Sequence, residues 1–234
     1  MKRLESMGMD VPDDYPADEL DAVHALVTAV AGVNEAGLRP AAWHEWASAM
    51  NGLAWRFRAC DEHGIAVVES LRSSHAPEIE DRYHQEKWLF AFFFEGLSAV
   101  ECLYYGLYFV GALTESPQFD PGVDPRTVKT GYVAQQFSAA FPSDLAAKLT
   151  EVARGEEFKL WTLIRNVLAH RGVPARNFSI GGEHSGAVLW GLPEAAEILD
   201  PDELLQRREN VGSMITQIAE VAVPFVQEHL ADGA

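Results

Sequence analysis

Residues 88–113 read WLFAFFFEGLSAVECLYYGLYFVGAL, and the only charged side chains among them are Glu95 and Glu101. A run of this length and composition raises the question of a membrane span. Two carboxylates near its middle would be costly in lipid, and the Lys/Arg clusters that usually flank a span are missing. We therefore expect no membrane insertion and predict a central helix that is buried on all sides.

Apolar residues at helical spacing predict further helices on both sides of this segment. Gly37 and Pro40 separate the first two helices, and Pro40 suits the first turn of the second. The predicted helices span residues 17–33, 40–71, 78–113, 143–154, 156–170 and 202–230. Residues 130–141 have no clear type, and Pro224 should kink the last helix.

The clearest loop in the sequence is the Pro- and Gly-rich stretch 114–128. We predict an all-α fold, an antiparallel helical bundle in a single domain over residues 17–234. Its halves, 17–113 and 130–230, are joined by this loop, and residues 1–16 form a polar lead-in. Short apolar runs around Gly181 and Gly182 predict a small β-hairpin near residues 178–190.

Cysteine usage and the N-terminus both favour a cytoplasmic protein. Only Cys60 and Cys102 occur, each in a helical stretch far from the other, so the sequence gives no support to a disulfide framework. No apolar run follows Lys2 and Arg3, which is unlike a secretory signal. We expect a reducing compartment and no export.

The formal net charge of −17 argues against an extended nucleic-acid-binding surface, because the chain as a whole repels polyanions. Residues 148–176 differ from the rest, with six basic residues against three acidic ones. Since salt screens charges beyond about 8 Å, a locally positive cleft can still attract one phosphate group. The alternative is a chance fluctuation of charge along a helix surface.

Four arginines are followed by a histidine at a spacing of five to seven residues: Arg39 to His44, Arg56 to His63, Arg58 to His63, and Arg165 to His170. Spacing alone therefore identifies no site. The last pair differs in its setting, because Arg165 and Asn166 lie near the end of a strongly apolar helix and His170 is followed at once by Arg171 and Gly172.

Arg165-Asn166, three further residues and His170 at the end of a helix resemble the motif of HEPN domains, compact helical bundles many of which are metal-independent ribonucleases acting as dimers. The specific match covers about ten residues, 163–172. The resemblance implies an RNA substrate, His170 as general acid and base, and Arg165 holding the phosphate. Asn166 would orient the imidazole or bind a phosphate oxygen. No metal and no cofactor would be needed.

Helix geometry adds a condition to this hypothesis. Residues five apart on a regular helix are separated by about 140° and 7.5 Å, so Arg165 and His170 of one chain do not converge, whereas Asn166 and His170 share a face. Convergence requires the helix to loosen near His170, or a second copy of the motif across a dimer interface. The resemblance implies the second arrangement, and we predict a homodimer.

Glu95 and Glu101 are unusual on an apolar helix, since buried carboxylates need a partner. We predict that one of them, preferentially Glu101, supports the site by pairing with Arg165 or Arg171. The alternative is an exposed position, because residues six apart are about 240° apart and cannot both point the same way.

Other chemistry has little support in the sequence. The remaining histidines show no metal-ligand spacing, so we predict no metal site. Trp43, Trp46 and Trp55 could stack on bases, but their spacing is more typical of a core.

Two functions remain open, while a third, that of an unrelated helical ligand-binding protein, would explain the apolar content of 48% but not the motif. The first is a HEPN-like endoribonuclease that cleaves RNA by 2′-OH attack, a toxin or antiviral-defence component with an antitoxin or regulatory protein as partner. The second is a non-catalytic HEPN-like module for dimerisation or protein interaction, in which Arg165 and His170 tie the helix end to the core. The acidic charge weighs against the first, and the intact motif favours it.

Overall fold

The computed structural model describes the backbone of residues 2–4, 9–11, 17–33, 40–72, 78–170, 176–178, 188–192, 195–198 and 201–230. It is an all-α helical bundle, as predicted. The described residues contain seven α-helices: α1 (Ala17–Val33), α2 (Pro40–Leu71), α3 (Ile79–Leu113), α4 (Thr130–Ala140), α5 (Asp144–Arg154), α6 (Glu156–His170) and α7 (Pro201–Leu230).

The helix boundaries follow the local signals in the sequence closely. Ser143 caps α5, and its Oγ accepts a hydrogen bond from the backbone N–H of Ala146. The sequence assigned no type to residues 130–141, of which Thr130–Ala140 form α4. The buried residues Val133 and Phe137 lie on one side of this helix, which packs on α5. α7 continues past Pro224 to its end at Leu230.

Short strands accompany the helices. β1 (Lys2–Leu4) pairs antiparallel with β2 (Met9–Val11) within the predicted polar lead-in. β3 (Arg176–Phe178) pairs antiparallel with β4 (Val188–Leu192), which confirms the predicted hairpin, although its turn lies outside the described residues. A third strand, β5 (Ala195–Ile198), which the sequence analysis did not predict, pairs with β4.

α3 contains the apolar stretch of residues 88–113. By length and composition it is the one described helix that would suffice to cross a membrane, and 72% of its most apolar 18-residue window is buried inside the protein. Phe92, Leu103 and Leu107 are among its fully buried side chains. Most of this window is thus buried, but α3 is not buried on all sides as predicted, because large apolar side chains along it are exposed.

The chain forms two compact units that share α2, α3 and α7. The first comprises residues 1–55, 98–155 and 212–234, and the second comprises residues 56–97 and 156–211. The boundary between the units does not fall at the loop 114–128, which lies within the first.

The core of the first unit is rich in aromatic side chains. Phe119, from the loop between α3 and α4, is buried and contacts the rings of Tyr108 and Phe137, with ring centroids 5.3 and 4.9 Å apart. Tyr104 on α3 donates a 2.6 Å hydrogen bond from its hydroxyl to the backbone carbonyl of Leu149 on α5. These contacts attach the loop and α5 to α3.

The core of the second unit is built around Trp161 of α6, which has no exposed surface. Its ring lies against Phe92 and Phe93 of α3, at centroid distances of 5.1 and 4.8 Å. A Cβ atom at Gly96 would come within 2.5 Å of the same ring and 2.9 Å of the Cys60 sulfur. The close approach of α6 to α3 therefore depends on the absence of a side chain at position 96.

Two side chains expected in the core are exposed. Trp46 is buried, in agreement with the prediction, but Trp55 is 75% exposed. Phe90, which lies in the stretch predicted to be buried on all sides, is 41% exposed. Periodicity predicted the helices correctly, but α3 is apolar around most of its circumference, so the sequence alone does not distinguish its covered faces from its open one.

Candidate functional site

The Arg-Asn-x-x-x-His motif lies at the C-terminal end of α6. This helix begins after Gly155, with Glu156 and Glu157 in its first turn, where carboxylates interact favourably with the helix dipole. Arg165 is half-buried, and its Nε atom is itself buried, whereas Asn166 is exposed. The motif therefore presents the amide to solvent and sets the guanidinium partly into the protein.

His170 is the last residue of α6. The helix is continuous from Arg165 to this position, so the loosening that would bring the two residues of one chain together does not occur between them. On a regular helix these positions are about 140° apart. The side chain of His170 and the whole of Arg171 lie outside the described residues, and their predicted roles stay predictions.

A hydrogen-bonded group fixes α6 two turns before Arg165. Glu157 accepts a 2.8 Å hydrogen bond from Nε1 of Trp161 through one oxygen and a 2.7 Å ion pair from Arg207 of α7 through the other. Arg207 also pairs with Glu203 on its own helix. Because Glu157, Trp161 and Arg165 follow one another at intervals of four, they share one face of α6.

A second polar contact lies in the core of the same unit. Asp61 of α2 is only 1% exposed and forms an ion pair with Arg208 of α7. The neighbouring Cys60 is fully buried, and burial, with the nearby Asp61 carboxylate as a smaller cause, raises the pKa of its thiol far above the ordinary value. This thiol is therefore protonated at neutral pH and is a poor nucleophile.

The two acids of the apolar stretch have different surroundings. Glu95 forms a 2.8 Å ion pair with Arg56 of α2, and both side chains are partly exposed. The structure thus gives Glu95 a partner other than the predicted Arg165 or Arg171. Glu101 is half-buried on α3. Its predicted support of Arg165 stays a prediction.

Part of the basic stretch 148–176 is neutralised by nearby side chains. Lys148 pairs with Glu151 at 2.8 Å, and Lys159 pairs with Glu156 at 2.6 Å. These pairs use two of the three acidic residues of the stretch, so its excess of positive charge lies on its arginines. Attraction of a phosphate group would thus depend on the arginines of the motif rather than on the stretch as a whole.

In the part of the chain that the structure describes, no group of three or more His, Cys, Asp or Glu side chains is placed to hold a metal ion. His63 lies near Glu62, Glu95 and Lys87, and burial lowers its pKa below the ordinary value. It is thus held neutral near physiological pH.

The polar contacts that hold the second unit together were not predicted from the sequence. The signal for Asp61 was present, since residues 57, 61, 64 and 68 recur at helical spacing on α2, and a carboxylate on that apolar face needs a buried cation. Its partner, Arg208, lies 147 residues away along the chain. Nothing in the local sequence identifies a partner at that distance.

Comparison with known proteins adds no further assignment: no protein-family model matches the chain, and neither a curated protein nor a solved structure is significantly similar to it.

Proposed function

We propose that this chain is a metal-independent endoribonuclease of HEPN type that acts as a homodimer. The observation that supports the proposal is the Arg165-Asn166 to His170 motif at the end of a continuous helix that Glu157 and Trp161 anchor to its neighbours. Unbroken helix between Arg165 and His170 favours a site assembled from two copies of the motif over one assembled within a single chain.

The chemistry follows from the side chains. His170 of one motif withdraws the proton of a ribose 2′-OH, whose oxygen attacks the adjacent phosphorus, and the bond from phosphorus to the 5′-oxygen breaks. A second imidazole, from the other motif, returns a proton to the leaving 5′-oxygen. Arg165 stabilises the charge on the phosphoryl oxygens. The products are a 2′,3′-cyclic phosphate and a 5′-OH end.

The negative charge of the protein would restrict this activity to RNA that reaches a small cleft at the motif. A net charge of −17 disfavours broad binding of polyanions, so the contact would be limited to about one phosphate group. Limited access of this kind suits a toxin or an antiviral-defence component, which an antitoxin or another regulatory protein would hold inactive. The cytoplasm is the compartment in which such an enzyme meets its substrate.

The test is cleavage of single-stranded RNA by the purified full chain in the presence of EDTA. We expect His170→Ala to lower the rate by about 10²-fold or more. Arg165→Lys, which keeps the charge but loses the bidentate geometry, should lower it as well. RNA with 2′-deoxyribose at the cleavage position should stay intact, and the products should carry 5′-OH ends.

The chain offers a matched control, because Arg39 and His44 have the same spacing as Arg165 and His170 and His44 is exposed. His44→Ala should leave cleavage unchanged. Equal rates for wild type, His170→Ala and Arg165→Lys, including no cleavage by any of them, would overturn the catalytic proposal.

A second candidate function, a non-catalytic module for dimerisation or protein interaction, is favoured by one observation. Ile79, Tyr83 and Phe90 of α3 are large apolar side chains with substantial exposure. Surfaces of this kind usually mark interaction sites. A dimeric wild type that leaves every RNA intact would favour this second function.

A further inference from the structure

α3 bears a row of exposed apolar side chains on the part of the helix that belongs to the second unit. Ile79 is 86% exposed, Tyr83 58% and Phe90 41%, and the half-buried ring of Phe94 stacks on Phe90 with centroids 5.7 Å apart. At 100° per residue these four positions lie within an arc of about 60°. We call this row the α3 stripe.

The spacing of the α3 stripe is symmetrical about its own centre. Ile79 and Phe94 lie at equal distances from the midpoint between residues 86 and 87, and Tyr83 and Phe90 do so as well. Two copies of α3 that run antiparallel across a two-fold axis at this midpoint would place Ile79 against the partner's Phe94 and Tyr83 against the partner's Phe90. Each apolar side chain then meets an apolar side chain.

The residues at the midpoint carry opposite charges. Glu86 is half-buried and Lys87 is exposed. In the antiparallel arrangement Glu86 lies beside the partner's Lys87, and the symmetry repeats the pair on the other side of the axis. A parallel arrangement in the same register would place each charge beside its own copy. The charges therefore favour the antiparallel arrangement.

We propose that a second copy of this chain covers the α3 stripe in an antiparallel, two-fold symmetric interface centred between Glu86 and Lys87. Such an interface is closed, because the same surface of both copies is used. RNA is a poorer occupant of the stripe, since residues 78–90 contain four acidic and two basic side chains. A homodimer is also what the proposed function requires, but this interface is inferred from the residues of α3 alone.

The sharpest test uses two single charge reversals, Glu86→Lys and Lys87→Glu, measured by analytical ultracentrifugation. Each variant places like charges on both sides of the axis, and we expect its homodimer to dissociate at a concentration about tenfold or more above that of wild type. An equimolar mixture of the two variants restores opposite charges, so it should form a heterodimer of about wild-type affinity.

Apolar contacts are tested by Phe90→Glu and Tyr83→Glu, each of which should yield a monomer. Trp55→Glu is the matched control, because Trp55 is exposed but lies on another helix. Circular dichroism establishes that each variant is folded, and Phe90→Ser is the milder replacement where a charged residue prevents folding. A monomeric wild type at about 100 μM would overturn the interface, as would a wild-type dimer that neither the stripe variants nor the charge reversals weaken.

Two further outcomes are informative. One distinguishes a second copy of the chain from RNA as the occupant of the α3 stripe, and the other distinguishes failure of the proposed function from failure of the interface. Loss of RNA binding by Phe90→Glu, with a monomeric wild type, would assign the stripe to RNA and overturn the interface. A wild-type dimer that is weakened by the stripe variants but cleaves no RNA would support the interface while overturning the catalytic proposal.

Discussion

Asp61 on α2 and Arg208 on α7 form an ion pair in the core of the second unit, where Asp61 retains 1% of its surface. Removing Asp61 takes a carboxylate away from a guanidinium whose side chain is itself only 19% exposed, where the loss of a charged partner is costly. We therefore expect Asp61→Ala to lower the free energy of unfolding by about 3–5 kcal/mol in urea denaturation.

The control for Asp61 is the pair formed by Arg58 and Glu62, four residues apart on α2 and partly exposed. Arg58→Ala should cost no more than about 0.5 kcal/mol. The double variant Asp61→Leu with Arg208→Met should be less destabilised than the sum of its single changes. A cost for Asp61→Ala no larger than that for Arg58→Ala would contradict a structural role of the buried pair.

Gly96 should resist substitution by alanine. A Cβ atom there would lie 2.5 Å from the Trp161 ring, and neither helix can move without disturbing the core around it. We expect Gly96→Ala to lower the free energy of unfolding by about 1–3 kcal/mol. Gly131 on α4 is the matched control, because no atom lies within 4 Å of the added Cβ and the residue is exposed. Gly131→Ala should stabilise the protein by about 0.4–1 kcal/mol. Thermal unfolding of wild type and both variants measures the two changes in stability.

His63 should make the folded state less stable in mild acid. Burial holds its pKa below the ordinary value of about 6.5, so at lower pH the unfolded chain binds a proton that the folded chain does not. Stability is therefore lost as the pH falls through the unfolded value. The loss of unfolding free energy between pH 7.5 and pH 5.5 should be smaller in His63→Gln than in wild type. Identical profiles for His63→Gln and wild type would refute this role of His63.

Cys60 should be unreactive in the folded protein. Its thiol is fully buried, so a reagent cannot reach it. Burial also raises the pKa of the thiol far above the ordinary value, so the reactive thiolate is scarce. Mass spectrometry after treatment with a maleimide should show labelling of Cys60 about 100-fold or more slower in buffer than in denaturing urea, because exposure requires costly opening. The half-buried Cys102 should be labelled earlier. Labelling of Cys60 in buffer at the rate of Cys102 would contradict this expectation.

Most helix boundaries were predictable because their signals are local. Pro40 begins α2, Ser143 caps α5 and Gly155 separates α5 from α6, as the sequence indicates. α4 was not predicted, because Tyr132, Val133 and Phe137 suit a strand as well as a helix. Burial of Val133 and Phe137 in a helix that packs on α5 accounts for the conformation that the chain adopts there.

The candidate site was predictable only as a sequence motif. The position of Arg165 and Asn166 near the end of α6 follows from local signals, but Arg56 as the partner of Glu95 does not, since the two lie 39 residues apart. The exposure of Phe90 was missed for a similar reason: helical spacing identifies apolar faces but not which of them another helix covers. Contacts between distant segments and the choice of the open face are properties of the folded chain.

Gly96 and Trp161 also bear on how this sequence can diverge. Since the indole ring occupies the space that a side chain at position 96 would need, position 96 cannot gain a side chain unless residue 161 changes as well. Related chains with alanine or serine at position 96 should carry a smaller ring or an aliphatic residue at position 161. Such paired replacement would let distant relatives be aligned through α3 and α6 even where the rest of the sequence has drifted beyond resemblance.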